Sequence, residues 1–143
     1  MKIDNALLDR LTAQAQASPR LRMNMDLRNS DADSSQRMLN AIEPGSVVPV
    51  HRHRATSETL VVLRGRVVEE YYSLEGIVEA EFELTAGGGC HVAGDPRNDV
   101  PVACALNIPA GQWHTLRALE SGTVILEMKD GGYEAMRECD ILK

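Results

Sequence analysis

Aromatic side chains are nearly missing from this chain: Phe82 and Trp113 stand alone beside three Tyr, 3% of 143 residues. Any core must therefore be filled by Val, Leu, Ile, Met and Ala. Cysteine is scarce too. Cys90, Cys104 and Cys139 are odd in number and widely spaced, which suits neither a disulfide framework nor a CxxC zinc or redox motif, so buried or half-buried free thiols are expected. Basic charge is in deficit, with 15 Lys+Arg against 21 Asp+Glu, a formal net charge of −6 and a pI near 5.2. Proteins that bind nucleic acid or an anionic bilayer neutralise phosphates with Lys and Arg, so neither partner is expected. No stretch approaches the ~18 consecutive apolar residues that span a bilayer. Met1–Arg20 lacks the basic and apolar regions of a signal peptide, and a cytoplasmic location is expected.

What is present is ordinary for a globular protein, with 43% hydrophobic and 25% charged residues, too apolar for a disordered chain. A length of this order supports one self-sufficient core. A single domain is expected over residues 1–143, divided into a helical segment at 1–18, a β-barrel at 19–130 and a tail at 131–143.

Leu7, Leu8 and Leu11 share one face of a helix over Asp4–Ala17, with Asp4 as N-cap and Pro19 beyond its end. From Pro19 the period falls to two: Leu21, Met23, Met25 and Leu27 alternate with Arg20, Arg22, Asn24, Asp26 and Arg28, the pattern of a two-faced strand. Asn29–Ser35 is polar and reads as a loop. Short apolar or alternating runs follow at Arg37–Ile42, Ser46–Val50, Glu58–Leu63, Val67–Tyr72, Ile77–Leu84, Cys104–Ile108, Trp113–Ala118 and Thr123–Met128. Gly- and Pro-containing turns separate most of them. So many short strands in one domain predict a mainly β fold closed into a sandwich or barrel, since closure removes exposed sheet edges. Ala86–Pro101, with four Gly, two Asp and two Pro, predicts a long surface loop. Glu69-Glu70-Tyr71-Tyr72 is expected on a solvent-facing hairpin.

Two of the four His form the pair His51-Arg52-His53. Residues two apart on a strand share a face, so both imidazoles can take adjacent positions on one metal. Glu58 lies five residues on, an odd offset, so the chain must turn or bulge within Arg54–Ser57 before the carboxylate can join them. Arg22 and Asn24 on the polar face of the first strand, together with Arg37, are candidate substrate-binding residues, because guanidinium forks match carboxylate and phosphate geometry. Gln36 and Asn40 also precede the motif. Lys129 and Tyr133, near the end of the last strand, are the candidate catalytic proton donors or acceptors.

The spacing Gly45-x5-His51-x-His53-x4-Glu58-x6-Gly65 resembles the first signature of the cupin superfamily without a mismatch, and Pro109-x-Gly111-x2-His114 resembles the core of the second. Two positions depart from the usual second signature: Ala103 stands in place of Gly, and Ala118 in place of Asn. Neither is a ligand position, so they bear on turns and packing. The resemblance implies a double-stranded β-helix, the cupin or jelly-roll barrel, with a short N-terminal helix. It also implies one divalent transition metal ion held by His51, His53, Glu58 and His114. Three nitrogens and one oxygen suit Zn, Fe, Mn or Ni. On a six-coordinate ion they would leave two positions open, whereas tetrahedral Zn would be saturated. His91 is left unassigned, as a packed or surface residue.

The wider stretch Arg20–Tyr133 is similar to the WbuC-type cupin-fold metalloproteins associated with surface-polysaccharide gene clusters. The phrases that carry this include Arg22-Met23-Asn24, Gln36-Arg37-Met38-Leu39-Asn40-Ala41, Glu43-Pro44-Gly45, Trp113-His114-Thr115-Leu116 and Lys129-Asp130-Gly131-Gly132-Tyr133. This resemblance implies a metal-dependent enzyme on a small, oxygen-rich, sugar-like or anionic compound, with isomerisation or epimerisation the expected reaction. The alternatives are a non-haem Fe(II) dioxygenase and a non-catalytic module that binds or senses a small molecule. A homodimer is expected from the superfamily. A bound dication would bring the formal charge from −6 to −4 and make the barrel mouth locally positive, steering a small anion to one spot on an acidic surface.

Overall fold

The computed structural model describes residues 1–87 and 103–143; the Gly-rich segment read as a loop, with Cys90 and His91, lies largely outside the described residues. Asn5–Ala17 forms α1, capped by the Asp4 carboxylate, which accepts the Leu7 N–H at 3.1 Å. Among the described residues eight strands follow: β1 (Arg22–Asp26), β2 (Ser35–Ile42), β3 (Glu58–Arg64), β4 (Arg66–Tyr72), β5 (Val78–Thr85), β6 (Ala105–Ile108), β7 (Trp113–Ala118) and β8 (Thr123–Asp130). They make two antiparallel sheets, in the orders β1-β2-β8-β3-β6 and β5-β4-β7.

The period-two patterning decides what each face covers. Ile42, Leu60, Val62, Val67, Leu84, Leu116, Ala118 and Ile125 point between the sheets and form the main core. The opposite faces of β1, β2 and β8 carry Met23, Met25, Leu39, Ala41 and Val124, which pack against Leu7, Leu8, Leu11 and Ala15 of the helix. The helix therefore spends its apolar face on its own sheet.

Three further expectations change. Ser46–Val50 forms no strand: Pro49 cannot donate to a ladder, and the segment runs extended to an isolated bridge between His51 and His114. Cys104 and Cys139 are exposed rather than buried. Glu69, expected in solvent, is fully buried because β4 turns Val67 and Glu69 to the same inner face.

The tight turn between β3 and β4 depends on Gly65. Its φ is +77°, and an added Cβ would lie 2.3 Å from Thr123 Oγ1 and 2.9 Å from Thr123 Cα. Thr123 is itself fully buried and bonded to the Glu120 carbonyl at 2.7 Å, so the clash has no easy relief. Left-handed strain plus overpacking predicts that Gly65→Ala costs about 2 kcal/mol. Urea unfolding measures this, and an unchanged midpoint would show that the turn can move.

Candidate metal centre and its cavity

One end of the barrel opens into a cavity of about 840 Å³. Its floor is made by side chains from three places. Glu58 starts β3 and His114 is the second residue of β7, both on inward-facing positions and both 3% exposed. His51 and His53 come from the extended segment beside β7, where the His51 N–H donates to the His114 carbonyl at 2.9 Å and the His114 N–H returns the bond at 2.8 Å. The bend at Arg54–Ala55 then swings the chain so that Glu58 re-enters on the same side, as the odd offset requires.

The three imidazoles each offer a ring nitrogen, all within 4.8 Å of one another. Ring centroids are 5.1 Å apart for His51–His53, 4.4 Å for His51–His114 and 5.7 Å for His53–His114. Two of the rings are oriented by backbone carbonyls: Nδ1 of His51 lies 2.9 Å from the Pro49 oxygen and Nδ1 of His114 lies 2.9 Å from the Gln112 oxygen. A ring that donates from Nδ1 keeps Nε2 as a lone-pair donor, the tautomer a ligand needs. Burial, reinforced by the neighbouring His114, pushes His51 down to about 4, and burial lowers His114 as well. Both are thus neutral at physiological pH.

Glu58 supplies a hard oxygen to the group. Its Oε2 is 3.2 Å from His53 Nε2, 4.0 Å from His114 Nε2 and 3.1 Å from Lys129 Nζ. None of these approaches has hydrogen-bond geometry, so the buried oxygen is held by charge alone, with Lys129 as its ion-pair partner. Burial alone would raise this carboxyl, but His53 and the charge of Lys129 outweigh it and hold it below its ordinary range. A buried carboxylate oxygen that makes no hydrogen bond, beside three clustered ring nitrogens, fits a divalent cation, since burying such a set without one costs several kcal/mol.

The other predicted residues divide between two cavities. Arg22 and Asn24 line the main one; the Arg22 guanidinium gives one N–H to the Val47 carbonyl at 3.0 Å. Arg37 alternates to the other face of β2 and is held by Asp33 at 2.8 Å, beside a second cavity of about 260 Å³. Gln36 lines both cavities and donates to the Gly131 and Gly132 carbonyls, while Asn40 faces the main one. Lys129 also lies 3.1 Å from His53 Nε2. Tyr133 is 66% exposed, its ring 5.6 Å from the Arg28 guanidinium carbon.

Two carboxyls went unrecognised in the sequence. Glu127 lies on the inward parity of β8 between Ile125 and Lys129, and burial followed by the charge of Glu58 raises it. Glu69 sits deeper, with both carboxyl oxygens unpartnered among the described residues, and burial pushes it up to about 10. The signal for both was strand parity: each shares its face with a core residue two positions earlier.

A family model described as Domain of unknown function (DUF6016) matches residues 3–84, which include His51, His53 and Glu58. No match was found among the curated proteins. Similar solved structures include oxalate oxidase in complex with the substrate analogue glycolate, with 14% identity over 85% of this chain and 57% of that one and a TM-score of 0.60. The Cnp3 cupin domain of Schizosaccharomyces pombe has 12% identity over 78% of this chain and 65% of that one, with a TM-score of 0.54. Oxalate decarboxylase of Bacillus subtilis, studied for its Mn(II) centres, has 16% identity over 80% of this chain and 26% of that one, with a TM-score of 0.55. These likenesses show the cupin fold.

Proposed function

We propose, for a chain that belongs to the DUF6016 family of domains of unknown function, that it is a single-domain cupin with one divalent metal ion held by His51, His53, His114 and Glu58. The observation that carries this reading is the gathering of three ring nitrogens within 4.8 Å of one another, with the buried Glu58 Oε2 3.2 Å from His53 Nε2 and 4.0 Å from His114 Nε2. Similar folds whose names refer to Mn(II) centres or a glycolate complex support it. A bound ion supplies Lewis acidity, polarising a carbonyl or stabilising an enediolate.

The rest of the cavity favours a small, oxygen-rich anion. Arg22 has no carboxylate partner among the described residues and offers its remaining N–H groups to the cavity, while Asn24, Gln36 and Asn40 offer amides. Lys129 is the proton-transfer group closest to the centre, and Tyr133 stands at the rim. Isomerisation or epimerisation of a sugar derivative, as the WbuC-type resemblance suggests, is the reaction we assign first. Metal analysis of untagged protein, then incubation with sugars and sugar nucleotides in D₂O, tests it. We expect one ion per chain and deuterium gained at a carbon beside a carbonyl. A chain that takes up no divalent ion overturns the metal reading; O₂ uptake with Fe(II) but not Zn would reassign the reaction to a dioxygenase. Ligand binding with neither exchange nor turnover would leave a sensing module.

A further inference from the structure

The segment after β8 turns back across the cavity mouth and is tied at both ends. At its start, Gln36 Nε2 donates to the Gly131 carbonyl at 3.0 Å and the Gly132 carbonyl at 3.1 Å. At its far end it docks on the ligand segment itself. Ile141 is the bridge partner of His51 on the side away from His114, and the Leu142 N–H donates to the Val50 carbonyl at 2.9 Å. The Arg52 N–H donates to the Asp140 carbonyl at 3.1 Å, and the Asp140 carboxylate accepts from Arg52 Nε at 3.1 Å and from Arg54 Nε. Arg54 also reaches the Cys139 carbonyl at 3.3 Å, and the Arg52 guanidinium lies 4.4 Å over the Trp113 ring.

His53 thus stands between two arginines that share one nearly buried carboxylate, 86 and 88 residues away in the chain. Residues 52–57 have no strand ladder of their own; besides this docking, their backbone is held by the Gly111 N–H on the His53 carbonyl at 2.7 Å. We propose that Asp140 is a positioning residue of the metal centre: through Arg52 and Arg54 it fixes the path of His51–Arg54, and it neutralises the two guanidinium groups that would otherwise repel a cation at His53. The proposal rests on the reading of His51 and His53 as ligands. Its thermodynamic corollary is reciprocal coupling, in which metal binding protects residues 131–142 as much as their docking favours the metal.

Two variants separate position from charge. Asp140→Asn replaces the shared carboxylate by a neutral amide oxygen, which weakens the side-chain tether and leaves the two guanidinium charges uncompensated, so both effects weaken the metal. Arg52→Gln with Arg54→Gln also weakens the tether but removes positive charge, so electrostatics alone would tighten the metal. Co(II) titration of the full-length, chelator-stripped chain is followed by calorimetry and by the visible d–d spectrum, with melting curves to verify folding. We expect both variants to bind Co(II) about tenfold or more weakly, in the range of outer-shell partners, with altered d–d bands. We also expect the metal-free Asp140→Asn protein to exchange the amide hydrogens of residues 51–54 at least about tenfold faster than the parent, the size of one weakened tether. Parent-like affinity and spectrum in Asp140→Asn overturn the proposal, as does tighter binding by the double variant. Unchanged amide exchange overturns it independently of the metal, whereas failure of the parent chain to bind Co(II) overturns the underlying ligand reading.

Discussion

His114→Ala is expected to weaken Zn(II) or Co(II) binding by about a thousandfold or more, roughly 4 kcal/mol at 1.4 kcal/mol per decade. The ring is 3% exposed and held on β7, with Nδ1 directed to the Gln112 carbonyl at 2.9 Å, so the lost nitrogen is a pre-oriented one. Arg52, Arg54 and Lys129 line the same cavity but carry cationic groups and cannot replace it. Glu58→Gln keeps all three nitrogens and removes the only carboxylate of the set, and a smaller loss is expected from it. Competition calorimetry on chelator-stripped protein measures both. A His114→Ala chain that binds as tightly as its parent would place the metal elsewhere, or nowhere, in this barrel.

Much of this centre is legible in the sequence because its parts are local. His51, His53 and Glu58 lie within eight residues, and the turns that bring Glu58 round are written in Gly45, the Arg54–Ser57 segment and Gly65. The helix and β2 are legible for the same reason: Leu7, Leu8 and Leu11 repeat at helical spacing, while Leu39 and Ala41 alternate with Met38, Asn40 and Ile42. Each pattern names its own buried face. Ser46–Val50 is a short apolar run that reads equally well as a strand, yet Val47 is 80% exposed. There the hydrophobic pattern misleads, because Pro49 withdraws a ladder donor and the segment exists to carry His51 to the side of β7.

The rest was hidden by distance or by neighbours. Nothing in sequence joins Asp140 to Arg52 and Arg54, since an ion pair across the fold leaves no periodic trace. Glu69 was masked by Glu70 and two tyrosines, which make the stretch look polar on both faces. Tyr71 in fact packs edge-on against Phe82 at 4.9 Å between ring centroids. Extending the parity from Val67 would have placed Glu69 inside, and extending it from Ile125 would have placed Glu127 in the cavity. Composition over a short run and parity along a strand disagree here, and parity wins because the sheet is folded onto its partner on one face only.

Glu69 carries the second large expectation: in metal-free protein, Glu69→Gln should remove a loss of stability that grows with pH. The carboxyl is fully buried, both oxygens lack partners among the described residues, and burial, followed by Glu58 and Glu127, raises it to about 10. In the unfolded chain it titrates near 4.5. Between those values the unfolded state has released a proton that the folded state keeps, so stability is fully present below the lower value and falls as pH rises. The slope is about 1.4 kcal/mol per pH unit, or about 3 kcal/mol between pH 5 and pH 7. Burial raises Glu127 in the same sense, and the lowered His51 and His114 act only on the acid side, but these groups are common to both proteins and cancel to first order in their difference. The glutamine amide brings its own desolvation cost, which does not vary with pH. Urea unfolding of chelator-treated parent and variant at pH 5, 7 and 9 should therefore show the variant gaining on the parent at each step. A gap that stays constant with pH would mean that Glu69 has a partner inside the barrel, such as a buried water or a cation, that holds it ionised.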